Sequence, residues 1–382
     1  MIATGPWREA APVQALLSAL GSAGYAAFFV GGCVRNALLG REVDDIDIAT
    51  DARPKRVIEI AEEAGFRAVP TGLEHGTVTI VTEAGPLEVT TFRRDVETDG
   101  RHAKVAFSTD VAEDAARRDF TMNALYAAPD GKVVDPMGGL DDLRARRVRF
   151  VGDARARISE DTLRILRYFR FHAWYGDPME GLDAEALAAC AEGADGLDRL
   201  SAERVGKEML KLLAAPDPAP SVGAMAQAGI LARLLPGAET ATLTLLVHME
   251  ELAGAAPDPI RRLAALGGEE AAKRLRLSRR QTKALDLLRT EIGSAAGTAE
   301  LSWRHGREAA RDVELLRAAS FEAPLPADLE ARLDRGAGAI LPVTGRDFAD
   351  KVQGPEIGAG LAEAERRWIA SGFTLGRDDL LG

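Results

Sequence analysis

The chain is poor in soft metal ligands. It has two cysteines, Cys33 and Cys190, and five scattered histidines in 382 residues. So few cysteines exclude a disulfide framework or a zinc cluster and fit a reducing compartment, the cytoplasm. No HExxH segment and no His-Asp dipeptide occurs, which argues against metalloprotease and histidine-based phosphohydrolase chemistry. No apolar run comes near the roughly 20 residues of a bilayer span. The opening MIATGPWREAAPVQALL lacks the basic-then-apolar pattern of a signal peptide. A GxxxxGKS or GxxxxGKT loop is missing too, so any nucleotide is held without a P-loop.

Acidic residues outnumber basic ones, 59 Asp and Glu against 48 Lys and Arg. The net charge is −11, which at first argues against nucleic acid, but averages conceal local fields. Between Arg144 and Arg170 stand nine arginines and no lysine, against Asp153, Glu160 and Asp161. A stripe made only of Arg, the bidentate and stacking cation, favours contact with phosphates or bases. Its plainer reading is a solvated helix face.

What is present divides the chain in two. VQALLSALGSAGY (13–25) has helical spacing, AAFFV (26–30) reads as a buried strand, and CVRNALL after Gly31-Gly32 as a short helix. VDDIDIAT alternates as a strand, and a helix follows from Asp51 onward. GTVTIVT (76–82) and PLEVTTF (86–92) form a predicted hairpin. RRDVETDGRHAKVAF (93–107) has no apolar period and reads as a loop. EDAARRDFTMNALYA (113–127) reads as helix, and KVVDPMGGLDDL as a strand followed by a Gly-rich turn. Beyond residue 150 only helical periodicity continues, with AAPDPAPS (214–221) as a proline-rich linker. The expected class is α+β, a small mixed-sheet head followed by an all-helical part. The expected domains are residues 1–149, 150–214 and 215–382.

One short stretch carries chemistry. In a strand, alternate residues share a face, so Asp45 and Asp47 point together while Ile46 and Ile48 point into the core, and Asp44 lies opposite. Two carboxylates so placed suit a hard cation such as Mg²⁺. A pair of such ions activates an attacking hydroxyl and stabilises a departing pyrophosphate. Glu88 on the neighbouring hairpin is a candidate third ligand. A D-x-D pair alone is also an ordinary polar strand end. Upstream, Gly31-Gly32 lets backbone approach a ligand, and Arg35 in the first helical turn reaches the same phosphates.

FVGGCVRNALLG-REVDDIDIAT resembles the first signature of the family of tRNA nucleotidyltransferases (CCA-adding enzymes) and bacterial poly(A) polymerases, whose head is polymerase β-like. The resemblance continues through RRDFTMNALY (117–126), DPMGGLDDLRARRVRFVGD (135–153), EDTLRILRYFRF (160–171) and RVGKEMLKLL (204–213). The family usually has Asp where this chain has Asn36, which removes one charge near the glycine turn. The resemblance implies that Gly32 and Arg35 contact a triphosphate and that Asp45 and Asp47 hold metal. It implies that Arg118 contacts the nucleotide, with Asp119 and Asn123 near the ribose. It makes 150–214 a neck whose segment Glu160–Arg170 reads the base, 215–382 a tRNA-binding body and tail, and the loop 93–107 with Gly100 the switch from C to A addition.

The base-reading role also follows from chemistry. Asp161 and Arg164, three apart on one helix, would share a face, an Asp accepting from an amine and an Arg donating to a ring nitrogen. Cytosine and adenine both offer an amine beside an acceptor nitrogen, whereas uracil and guanine reverse the pattern. Arg167 and Arg170 continue that face toward the triphosphate. An intrahelical Asp–Arg ion pair is the alternative. The expected activity is Mg²⁺-dependent addition of C, C and A to the tRNA 3′ end from CTP and ATP. Poly(A) synthesis, partial C or A addition, and a non-catalytic RNA-binding protein are the rivals.

Overall fold

The computed structural model describes the whole chain except residues 100–101 and 350–351, and the backbone alone over 95–99 and 102–105. It divides into two compact units, Met1–Leu234 and Leu235–Gly382.

The first unit begins with α1 (Pro6–Glu9) and α2 (Ala11–Ser22) and enters the sheet at β1 (Ala27–Val30). Gly31, at φ 70, ends β1 in a conformation open to glycine, and α3 (Gly32–Leu38) follows. After β2 (Ile46–Thr50), α4 (Pro54–Glu63) starts with proline at its first position. The strands β3 (Arg67–Gly72), β4 (Thr77–Thr82) and β5 (Gly85–Thr91) complete this part of the sheet. Then come β6 (Arg93–Asp99) and β7 (His102–Phe107), α5 (Val111–Ala116), β8 (Tyr126–Ala127), β9 (Val133–Val134) and α6 (Gly139–Arg144). The seven-stranded sheet has the order β3-β4-β5-β2-β1-β8-β9. Among the described strands of this sheet, only β2 and β5 pair in parallel.

Alternation gives the two sheet faces different tasks. Ile48 and Phe29 are register partners and fully buried, on the face covered by α2 and α4 through Val13, Leu16, Leu20, Val57 and Ile60. On the other face, Val30 and Ala49 join Phe92, Ala115, Ala124, Tyr126 and Val151 in a second core, with Phe28 against it. Asp47 stands on this second face, two residues before Ala49.

Two expectations are corrected here. Within 93–107, Arg93–Asp99 and His102–Phe107 pair as antiparallel strands, β6 and β7, and are not an irregular loop. Main-chain pairing supplies the order that an apolar pattern would have announced. Gly100 lies outside the described residues. Residues 113–127 are not one helix. Helix α5 stops at Ala116, a 3₁₀ turn spans Thr121–Asn123, and Tyr126 already belongs to β8.

Among the described residues no strand follows Val134. The unit continues with α7 (Ala154–Glu160), α8 (Leu163–Tyr175), α9 (Ala184–Glu192), α10 (Ala202–Leu213), α11 (Ala219–Gln227) and α12 (Ile230–Leu234). The proline-rich segment does not separate the units. Helix α11 starts within it and packs on α8, where the Ser221 hydroxyl meets His172 Nδ1 at 2.8 Å. Phe120 against Phe171 (4.9 Å) and Phe150 against Tyr168 (5.5 Å) join the sheet part to α8.

Among its described residues the second unit has helices and no strand, with one isolated bridge between Ala238 and Gly267. Its centre buries Arg261 and Arg262 against Glu250, with Asp312 on Arg261. Val343, Phe348, Ala364, Trp368 and Leu380 form a further core.

Gly139 ties the glycine turn after β9 to the site. A Cβ there would lie 2.1 Å from the Thr121 carbonyl oxygen, in the turn that carries Asn123. Backbone cannot yield as a side-chain tip does, so Gly139→Ala is expected to destabilise the chain by about 3 kcal/mol, the upper end of overpacking costs. Urea denaturation of the full chain measures this, and an unchanged midpoint would contradict it.

Candidate active site

Asp47 and Glu88 are register partners across the parallel β2–β5 pair, so both carboxylates leave the sheet on one face. Glu88 is exposed and Asp47 half-buried. Asp45 lies exposed just before β2 begins. Burial first, then the charge of Glu88, and least that of Asp45, push the Asp47 carboxyl up to about 6, while Arg118 pulls it down. Negative charge is thus gathered with too little positive charge beside it. Among the described residues no three His, Cys, Asp or Glu side chains converge into a ready cation cage. Mg²⁺ is commonly held by one or two carboxylates together with substrate phosphates, and an oxygen-only acidic pair short of cations fits that requirement.

Arg118 links this pair to the glycine turn. A Cβ on Gly31 would stand 3.4 Å from its Nη1. Its Nε donates to the Tyr126 hydroxyl (3.0 Å) and its Nη2 to Asp114 (3.1 Å). Asp114 also accepts from Arg117 and from Tyr126. Burial opposes the charge on Asp114, but Arg118 and Arg117 hold its carboxyl below the usual range. Sequence reasoning missed Asp114 and Tyr126, although Asp114 precedes Arg117 and Arg118 by three and four residues, the spacing of helical ion pairs.

The next group is one continuous network. Asp119 accepts from Asn123 Nδ2 (2.9 Å), from the Phe120 amide (2.8 Å), and from Arg167 through Nε (2.8 Å) and Nη2. Burial alone would raise its carboxyl, yet Arg167 and these hydrogen bonds bring it down to about 2. Asn123 Oδ1 accepts from Arg35, which also reaches Asn36 and the Tyr175 hydroxyl. Arg170 donates to Glu208 on α10 at 2.6 Å. Thus Gly32, Arg35, Arg118, Asp119, Asn123, Arg167 and Arg170 are brought together. Tyr175 and Glu208 are additions that only the packing of α8 reveals.

Asp161 and Arg164 do not share a continuous helix, and they do not pair through their side chains. Asp161 ends α7 in an extended conformation, and its Oδ1 accepts from the Leu163 amide (3.1 Å). An Asp side chain that takes a backbone N–H offers the chain an alternative to helix, and the helix breaks there. The other carboxylate oxygen of Asp161 accepts from Arg204 at 2.7 Å. Arg164 engages Glu160 and the carbonyls of Arg157 and Arg117. These contacts use three of its five N–H groups.

The arginine stripe is likewise less free than its composition suggests. Arg144, Arg147, Arg149, Arg155, Arg157, Arg164, Arg167 and Arg170 all form ion pairs with carboxylates.

Residues 27–149 match the poly A polymerase head domain, and residues 181–242 the probable RNA and SrmB-binding site of polymerase A. The chain is 35% identical over 373 residues to the mitochondrial CCA tRNA nucleotidyltransferase 1 of Mus musculus, across 92% of this chain and 84% of that one. The chain belongs to the CCA tRNA nucleotidyltransferase family. Within that family it is 42% identical over 212 residues to the CCA-adding enzyme of Streptococcus pyogenes, covering 55% of this chain and 51% of that one. Its fold superposes on the Bacillus stearothermophilus CCA-adding enzyme solved in complex with CTP. The TM-score is 0.76 and the identity 31%, with 96% of this chain and 94% of that chain covered. The α+β class of the family, mixed sheet first and helices after, is the class expected from the sequence. No helix among the described residues is long and apolar enough to cross a membrane.

The raised Asp47 carboxyl has a consequence for stability. A carboxyl that titrates later in the folded chain contributes stability while it stays protonated, fully below about pH 4, and this contribution is lost as the pH rises through about 6. Asp47→Asn removes that loss. The variant is expected to melt above the wild type at pH 7.5 and to converge with it as the pH falls toward 4. Scanning calorimetry in metal-free buffer reads this, and equal melting at pH 7.5 would contradict it.

Proposed function

We propose that the chain adds C, C and A to the 3′ end of tRNA, without a nucleic-acid template, using CTP and ATP and releasing pyrophosphate. The observation that carries this reading is Asp47, a half-buried carboxylate short of positive charge, beside Glu88 and within the field of an arginine that lines the glycine turn. Asp45 and Asp47, with Glu88 as a third candidate, would hold Mg²⁺, which when bound supplies positive charge to the phosphates and acidity to the attacking hydroxyl.

The residues of the chain orient the substrates. Gly31-Gly32 leaves room for a triphosphate, Arg35 and Arg118 face it, and Asp119 with Asn123 stands where a ribose would lie. Asp161 accepts from the exocyclic amine of cytosine or adenine, and Arg164 donates to the acceptor nitrogen beside it. Uracil or guanine would leave these groups unpaired, at about 1–3 kcal/mol for each lost hydrogen bond. The base is read at a helix break, where side chains of α7, α8 and α10 fix the reading pair. The hairpin β6–β7 is the candidate element for changing from C to A addition. Residues 215–382 would hold the acceptor arm by shape and phosphate contact, as RNA helices demand.

The test supplies tRNA lacking CCA with each nucleotide alone and in pairs, and sequences the products. Termination after C, C and A is the expected result; a long A run would mean polyadenylation, and growth stopping at CC or needing a pre-existing CC would mean a partial enzyme. Asp47→Ala is expected to abolish incorporation and leave tRNA binding intact. Arg164→Ala is expected to raise misincorporation of U and G by about tenfold or more, and unaltered selectivity would remove the base-reading assignment.

A further inference from the structure

Arg35 is buried to 6% exposure. Its polar partners among the described residues are all neutral. Nη1 donates to Asn123 Oδ1, Nε and Nη2 donate to Asn36 Oδ1 at 3.2 and 2.9 Å, and Nη2 donates to the Tyr175 hydroxyl at 2.8 Å. Its guanidinium lies over the ring of Tyr175 at 4.0 Å and that of Phe171 at 5.2 Å. The contrast with the other buried arginines is sharp. Arg261 and Arg262 share the Glu250 carboxylate, one at each oxygen. The acidic group whose field reaches Arg35, Asp119, is itself engaged by Arg167. A buried charge without an opposite charge is costly, and hydrogen bonds with aromatic faces offset only part of that cost.

Asn36 has a second contact. Its Nδ2 donates to the Glu42 carbonyl at 3.0 Å, within the loop that leads to Asp45 and Asp47. An amide performs both tasks at once, accepting from the cation and donating to the loop. A carboxylate would accept only, would neutralise Arg35, and would oppose the Glu42 carbonyl. The Nη2 of Arg35 also faces the glycine turn, 3.8 Å from where a Cβ on Gly32 would stand.

We propose that Asn36 and Tyr175 are positioning residues that keep Arg35 un-neutralised at the glycine turn, so that the polyphosphate of the incoming nucleotide supplies its counter-charge. The neutral amide sets how strongly the empty site attracts polyphosphate, and the same amide anchors the loop before the acidic pair. This rests on the nucleotidyl-transfer reading and deepens it.

The experiment measures binding of CTP and of inorganic pyrophosphate to the full chain by calorimetry at several salt concentrations. Wild type, Asn36→Asp, Asn36→Ala and Tyr175→Phe are compared, with the affinity for tRNA lacking CCA measured alongside. Asn36→Asp is expected to weaken both CTP and pyrophosphate by about tenfold, the size of a charged hydrogen bond. It is expected to flatten their salt dependence, because one cation no longer contributes to the field. Asn36→Ala is expected to weaken them less and to keep the wild-type salt dependence. Tyr175→Phe, which retains the ring, is expected to cost about threefold. The affinity for tRNA should stay within twofold throughout. A role confined to packing would instead make Asn36→Ala the worse variant and leave the salt dependence alone. That order, or an Asn36→Asp protein that binds pyrophosphate like the wild type, overturns the proposal. Wild-type protein that binds neither CTP nor pyrophosphate overturns the nucleotidyl-transfer reading itself.

Discussion

The carboxylate of Asp119 joins the two halves of the first unit. It follows α5 in the sheet half, yet its strongest partner, Arg167, comes from α8 in the helical half. Through Asn123 the same carboxylate is coupled to Arg35, and Arg35 in turn touches Tyr175 at the far end of α8. A ring of side chains thus closes from sheet to helix and back. Each member is held by another, which is how a site keeps its geometry before substrate arrives. The aromatic contacts of Phe120 with Phe150 and Phe171 exclude water beside this ring. In that drier setting each charged hydrogen bond counts for more.

Charge in the site follows one rule, broken at two places. Most of its ionisable groups are paired: Asp114 with Arg117 and Arg118, Asp119 with Arg167, Asp161 with Arg204, Arg170 with Glu208. One is the acidic group of Asp45, Asp47 and Glu88, where burial and mutual repulsion raise Asp47 and Arg118 lowers it; the other is Arg35, whose hydrogen-bond partners are neutral. They flank the glycine turn. A nucleoside triphosphate with its cation carries both missing signs, so one ligand would relieve both deficits.

The sheet half was legible because its strands are short, apolar and bounded by glycine. Gly31, Gly40 and Gly85 all sit at positive φ, where punctuation in sequence and backbone geometry coincide. The D-x-D spacing fixed the face of Asp47 for the same reason. The hairpin β6–β7 was not legible, since its order comes from main-chain pairing and its side chains carry no apolar alternation. The break at Asp161 was missed because helical periodicity continues across it: Ile158, Ile165 and Leu166 are all buried. Only the side-chain capture of the Leu163 amide marks it. Tyr175, Glu208 and Arg204 escaped notice for a third reason. They reach the site through the packing of α8 and α10, a long-range fact that local pattern does not encode.

The arginine stripe shows how composition misleads about charge and still points to function. An excess of cations between Arg144 and Arg170 suggested a surface for nucleic acid. Eight of those nine arginines instead meet carboxylates, several of them outside the stripe: Asp119, Asp141, Asp142, Glu192 and Glu208. Arg157, Arg164, Arg167 and Arg170 are largely buried in their pairs, whereas Arg144, Arg147, Arg149 and Arg155 stay about half exposed. What the buried pairs add is geometry: at Arg164 a planar guanidinium is held by Glu160 and two carbonyls. For reading a base that is worth more than net charge, because discrimination depends on donors that cannot swing to suit the wrong partner. On the proposed reading, an acidic chain would select nucleotides through a few fixed groups, provided that the un-neutralised ones stand where the phosphates must go.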